Sequence, residues 1–324
     1  MKKAKIAFSL LGLSSTLMIT GLPLITSCST SNNIRNNNNV NVNTPVKQNA
    51  SLFMTSSNPI NGQIYCETDD TYNTVKICAG PELFEESDFD CKDITFNEEV
   101  NIGGKTYTLI DIDDMAFNTL PDKKPRIVGT VKFNRSLKGI GKAAFANQDQ
   151  VTKYDFSDLV TSTGIVLSED AFRLNDNLET IVFGDNLTNL SIGKQTFYEC
   201  VKLNDIHFPR GLTTLDNQAF EGCSGLTKVT FASEDKGAVE NMTIGTDVFK
   251  NTNLKTVSVP KGMKDTYQAK LGSVLPEGCT IDDGYKPTPT PSENNTWTPG
   301  KIAGVVVGCV LGAAVIALCI ALPI

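Results

Sequence analysis

The stretch LNDIHFPRGLTTLDNQAFEGC, residues 203–223, carries two patterns. Leu203, Ile206 and Phe208 follow an apolar-x-x-apolar-x-apolar spacing, and Ala219-Phe220 closes the unit. Alternation of Ile206 and Phe208 predicts a short strand with both side chains inward and His207 outward, because successive side chains of a strand point to opposite faces. Leu203 turns the chain into the strand. Ala219-Phe220 then packs a short helix or turn against the other side of the same core, with Phe220 buried.

Both patterns recur in phase. The Ala-Phe element returns as Ala116-Phe117, Ala144-Phe145, Ala171-Phe172, Thr196-Phe197, Ala219-Phe220 and Val248-Phe249, in steps of 28, 27, 25, 23 and 29 residues. The strand pattern returns at Val151/Tyr154/Phe156, Leu178/Ile181/Phe183, Leu203/Ile206/Phe208, Leu226/Val229/Phe231 and Leu254/Val257/Val259, with a weaker copy at Val128/Val131/Phe133. A period of this length indicates a solenoid, in which no single unit can bury its own apolar face and neighbours must stack.

These copies resemble the leucine-rich repeat of the BspA or Treponema type over roughly residues 60–282. The segment VNIGGKTYTLIDI (100–112) is similar to the strands that cap such repeats, and VPKGMKDTY (259–267) to their closing unit. The first repeat departs from the pattern in its length, with Pro121 and Pro125 in its turn, and residues 232–241 insert a polar loop. The resemblance implies an α/β repeat fold, a leucine-rich-repeat solenoid of short parallel strands over 109–282, with a β cap over 60–108.

The ends add a different layer. Basic MKKAK is followed by an apolar run from Ile6 to Ile25 and then Thr26-Ser27-Cys28, the build of a secretory signal. Residues 25–28 resemble the lipobox of bacterial lipoproteins, which makes Cys28 the expected lipid site and 1–27 a removed signal peptide; a plain secretory signal is the other reading. Residues 28–59 are asparagine-rich and read as a disordered tether. Residues 283–301 contain Pro287, Pro289 and Pro291 and read as a stiff spacer. From Ile302 to Leu322 there is no charge, and at about 1.5 Å per residue this segment spans a bilayer core. It is expected to be a transmembrane helix; a glycolipid-anchor signal is the alternative. Gly300, Gly304, Gly308 and Gly312 recur on one helical face, a pattern that predicts close helix–helix packing and a homo-oligomer through the span.

Composition narrows the chemistry. The net charge is −7, and loss of residues 1–27 removes Lys2, Lys3 and Lys5 but no acid. Such a chain is unsuited to nucleic acid, whose binding rests on phosphate contacts. His207 is the one histidine, and its outward position offers no nucleophile or orienting carboxylate in the sequence. Cys200 and Cys223 are expected in the core as thiols, with a disulfide between them as the alternative. Cys66 and Cys78 flank a hairpin, where free thiols are the reading and a cross-strand bridge is the alternative. The acids at 111–114 and 282–283 read as solvated. No cofactor, metal site or enzymatic centre is indicated.

Outward positions of successive strands should align in columns. One is Lys132, Asp155, Val182, His207, Thr230 and Ser258; a second is Thr130, Lys153, Thr180, Asp205, Lys228 and Thr256. The expectation is a membrane-anchored, outward-facing adhesin or ligand-binding protein that presents these columns to a host surface or matrix protein or a glycan. An architectural or antigenic coat without a specific ligand is the alternative.

Overall fold

The computed structural model describes residues 46–49, 52–55, 63–79, 91–118, 127–159, 164–185 and 187–287. The expected signal peptide, Cys28, the glycine row and the span 302–322 lie outside them. Among the described residues, no helix is long and apolar enough to cross a membrane.

The cap comprises β1 (Val46–Asn49), β2 (Met54–Thr55), β3 (Gln63–Asp69), β4 (Thr74–Cys78), β5 (Cys91–Phe96), β6 (Glu99–Ile102) and β7 (Lys105–Ile112). The repeats add β8 (Ile127–Lys132), β9 (Gly139–Ile140), β10 (Val151–Phe156), β11 (Ile165–Leu167), β12 (Thr180–Phe183), β13 (Leu190–Ile192), β14 (Asp205–Phe208), β15 (Leu212–Leu215) and β16 (Lys228–Phe231). The chain then forms α1 (Lys236–Asn241), β17 (Thr243–Ile244), β18 (Thr256–Pro260), α2 (Lys264–Leu271) and β19 (Thr280–Tyr285).

These strands build two sheets. In one, β5, β8, β10, β12, β14, β16, β18 and β19 run parallel in that order, with β2 antiparallel at the start. The expected strand motif occupies this sheet. The other runs β4, β7, β9, β11, β13, β15, β17, also parallel, behind the antiparallel β1 and β3. Its repeat strands β9, β11, β13, β15 and β17 escape a reading of the sequence, because they are two to four residues long and too short for an alternation to register.

The Ala-Phe elements lie in turns, so among the described residues the repeats are built as strand–turn–strand units, and the α of the expected α/β repeat is absent from those turns. Helix occurs among the described residues as α1, inside the insertion expected to be a loop, and as α2 in the closing unit. Asp235 starts α1 by accepting hydrogen bonds from the amides of Gly237 and Ala238. The turns hold one residue in the left-handed region two positions before each ladder phenylalanine, at Met115, Ala143, Asp170, Gln195, Gln218 and Asp247.

Stacking then completes the core. Phe117, Phe145, Phe172, Phe197, Phe220 and Phe249 form one continuous column with ring centroids 5.0 to 5.9 Å apart. Phe96, Phe133, Phe156, Phe183, Phe208 and Phe231 form a second beneath the strand sheet, 4.4 to 6.4 Å apart, ending on Tyr267 of α2. The near-parallel stacking of the first column, with rings 6° to 14° apart, suits ring quadrupoles as well as apolar burial.

A polar ladder runs beside the first column. Three residues after each ladder phenylalanine, Gln148, Asn175, Cys200 and Cys223 each donate to the main-chain oxygen of the phenylalanine one rung earlier. Cys200 Sγ lies 3.3 Å from Phe172 O and Cys223 Sγ 3.0 Å from Phe197 O. Both thiols are free and buried, as the core reading expects, and burial pushes the Cys223 thiol well above its ordinary range.

Several boundaries shift. The expected tether reaches residue 59, yet β1 pairs with β3, β2 pairs with β5, and Phe53 and Met54 are buried. The apolar run at 52–54 is the reason. The cap boundary at 108 falls inside β7, and β19 continues to Tyr285, past the start of the expected spacer. In the first repeat the inward residue is Ile127 rather than Val128, because the register against β10 shifts by one at a bulge where Gly129 takes a positive φ of 84°.

Candidate binding face

The two expected columns exist as register on the outer face of the strand sheet. Lys153 pairs with Thr130 and Thr180, Thr180 with Asp205, Asp205 with Lys228, and Lys228 with Thr256. Asp155 pairs with Lys132 and Val182, His207 with Thr230, and Thr230 with Ser258. β19 extends both columns by Thr280 and Asp282, which face Thr256 and Ser258. Sequence reading missed these two, although Thr280-Ile281-Asp282 repeats the out-in-out pattern of a strand.

The columns differ in access. Thr180, Asp205 and Lys228 are exposed and Thr130, Lys153 and Thr256 half-buried, so the second column is an open polar strip. Charges of both columns are partly satisfied within the face: Lys153 Nζ of the second lies 2.8 Å from Asp155, and Lys132 Nζ of the first 2.7 Å from Asp158. Asp158 holds the Lys132 ammonium above its usual range; burial pushes the Asp155 carboxyl up, but Lys153 and Ser157 together outweigh it and hold the carboxyl below its usual range.

The first column is closed at one end. Thr230 and Ser258, expected outward and open, are 8% and 6% exposed. Tyr285, at the end of β19, reaches back across β18 and β16 to place its hydroxyl 3.3 Å from His207 Nε2, with the two rings 5.4 Å apart at 65°. Its side chain thus lies over the column. Asp185 Oδ1 sits 3.6 Å from the same nitrogen. The expected lone, unoriented histidine therefore has two partners. Nothing near it in the sequence signals Tyr285, which is 78 residues away.

Burial lowers the His207 pKa below its ordinary value; Asp185 opposes that, while Arg210 and Lys228 add to it. The unfolded chain then binds the proton more readily than the native one. This contribution to stability is intact above the ordinary histidine pKa and is lost as pH falls from there through the lowered folded value. Thermal unfolding at pH 7.5 and 5.5 should show His207→Gln losing less stability than the parent on acidification. An identical loss in both proteins would show that His207 does not couple to folding.

The Cys66–Cys78 bridge, the alternative left open by the sequence, does not form. Cys66 pairs with Ile77 and Cys78 with Tyr65, so the two side chains leave opposite faces of the β3–β4 hairpin, and both thiols are free. A two-residue periodicity forbids the bridge without a register slip. Burial, then Glu67, raises the Cys66 thiol to about 11. Glu67, Cys78 and Asp113 come together as a cluster of potential metal ligands. Lys76 already bridges its two carboxylates, at 3.0 Å to Glu67 and 2.9 Å to Asp113, and so occupies the cation position.

A model of the BspA type leucine-rich repeat region matches six copies, over residues 84–190 and 138–270. No curated protein matches the chain. Among solved structures, the pneumococcal vaccine antigen PcpA is 24% identical with a TM-score of 0.47, the match covering 65% of this chain and 51% of PcpA. The chain thus spans about half the length of that protein. A leucine-rich repeat protein of T. pallidum is 16% identical (69% and 95% covered, TM-score 0.42). One from Bacteroides ovatus is 15% identical (63% and 59% covered, TM-score 0.37). With two stacked parallel sheets, a phenylalanine column through every turn and a family model spanning more than half of its length, the chain belongs to the BspA-type leucine-rich repeat family.

Proposed function

We propose that this protein is a membrane-anchored surface adhesin that binds a host protein or glycan through the outer face of the strand sheet. The observation that supports this reading is the open strip Thr180, Asp205 and Lys228, one residue per rung and in register. A row of hydroxyl and charged groups without an aromatic anchor suits a modest-affinity polar contact. The lipid on Cys28 and the span 302–322 supply the anchor in this reading, and the glycines at 300, 304, 308 and 312 cluster copies so that weak contacts act together.

The test is a screen of the whole protein against host matrix proteins and glycans, repeated with Thr180→Arg/Asp205→Arg. A genuine ligand should lose at least about tenfold in affinity, or about 1.4 kcal/mol. Unchanged binding would remove the strip from the reading. The coat alternative draws support from one feature: the Lys132 and Lys153 charges are paired within the face, and Tyr285 covers Thr230 and Ser258. No binding across the screen would favour it.

A further inference from the structure

The turn ladder has a polarity, and its last rung leaves that polarity open. In each inner rung, the amides two before, at and two after the ladder phenylalanine donate to three alternate carbonyls of the next rung. Gln195, Phe197 and Glu199 donate to the oxygens of Asn217, Ala219 and Glu221 at 3.0, 2.9 and 2.8 Å. Gln218, Phe220 and Gly222 donate to those of Thr246, Val248 and Lys250 at 2.9, 3.0 and 2.9 Å. In the last rung the equivalent amides belong to Asp247, Phe249 and Asn251, and among the described residues none of the three has an acceptor. The comb is nonetheless preformed, since Asp247 and Asn251 hold the positive φ angles of 55° and 59° that their counterparts hold in inner rungs.

Beyond this comb lies a cavity of about 290 Å³, between the turn 247–251 and the segment 273–276 that follows α2. Phe249 is fully buried while Asp247 and Asn251 are exposed, so the ladder holds three main-chain donors in place at the edge of this space, open to an incoming acceptor. A small anion does not fit the pattern: the donors are two residues apart, so a carboxylate or phosphate reaches too few of them, and the Asp247 carboxylate stands beside it. The Lys250 ammonium is already shared between Asp247 at 3.4 Å and Glu221 at 3.6 Å. A whole rung of a second copy would have to displace residues 273–276, which line the same cavity as the turn. A peptide main chain, with carbonyls at alternate residues, meets all three donors, and the half-buried Val274 and Leu275 offer an apolar wall for a side chain.

We propose that the carboxyl-terminal end of the solenoid captures a short peptide segment of a partner protein. About five residues of chain, offering the carbonyls of the first, third and fifth as Thr246, Val248 and Lys250 do to the preceding rung, would accept hydrogen bonds from Asp247, Phe249 and Asn251 and extend the turn ladder by one strand. This does not rest on the sheet-face reading.

The probe is a synthetic peptide TIGTDVFKNT, residues 243–252 of the chain, whose carbonyls already accept hydrogen bonds from the amides of the preceding rung in cis. Amide exchange is followed by NMR on the full-length, ¹⁵N-labelled protein in detergent. Without peptide, the amides of Asp247, Phe249 and Asn251 should exchange faster than those of Gln218, Phe220 and Gly222. At about ten times the peptide's Kd they should slow by about tenfold. Ser273→Trp, at an exposed position on the cavity wall, should abolish the slowing while the Phe220 amide stays protected, which shows an intact fold. The proposal fails if the three amides are already as slow as their inner counterparts, if no slowing occurs at any soluble peptide concentration, or if a scrambled peptide or Ser273→Trp protein gives the same slowing. Slowing that follows the protein's own concentration without peptide assigns the end to a second copy and overturns it as well.

Discussion

Phe172→Ala is expected to cost about 3–5 kcal/mol of folding stability, the largest effect of any single core truncation in the solenoid. Phe172 is fully buried and central. Its ring stacks on Phe145 and Phe197 at 5.6 and 5.1 Å and meets Tyr154 at 4.4 Å, and its edge contacts involve Phe133 and Phe156. Removing it opens a void between both aromatic columns, and rungs fixed by main-chain hydrogen bonds on either side cannot close on it. Phe249→Ala should cost less, because that ring ends the column and stacks on Phe220 alone. Denaturant unfolding of the two variants compares them directly. Equal losses would mean that stability does not propagate through the column as nearest-neighbour contacts.

Asn175→Leu is the second large effect. The side chain is fully buried, donates to the main-chain oxygens of Phe145 and Phe172, and lies 3.4 Å through Oδ1 from the Tyr154 hydroxyl. Leucine keeps the branching and the heavy-atom count of the side chain but meets none of these groups, and each buried polar group left unpaired costs about 1–3 kcal/mol. Asn175→Cys should recover part of that loss, since Cys200 and Cys223 hold the same position in the next two rungs with a thiol donor to the same type of carbonyl. Chemical denaturation of parent, Asn175→Leu and Asn175→Cys gives the order. If cysteine were no better than leucine, the ladder would matter for packing and not for hydrogen bonding.

Part of this was legible in the residues. Phe220 and its counterparts recur at a period that only stacking can satisfy, and the alternation of Ile206 and Phe208 fixes which side of the strand faces the core. Register follows: once Ile206 and Val229 must both point inward, Asp205 and Lys228 are forced into one outward column. Periodicity of two and repetition of the unit are enough for that, so the outer columns could be listed before any coordinates.

Other features depend on contacts between segments distant in the chain. The second sheet rests on strands such as Gly139–Ile140, whose identity as strands comes from neighbours above and below and not from local pattern. The closure of the first column depends on Tyr285 crossing two strands to His207, a contact with no local spacing to announce it. Cys66 and Cys78 were close enough in sequence to suggest a bridge, and the pairing register of one hairpin put them on opposite faces. The sequence alone therefore determined the repeat, its phase and the inward set, because those follow from the chain's own periodicity. Only the tertiary structure decided which outward residues stay open and which amides end unpaired, because both depend on where the stack begins and stops.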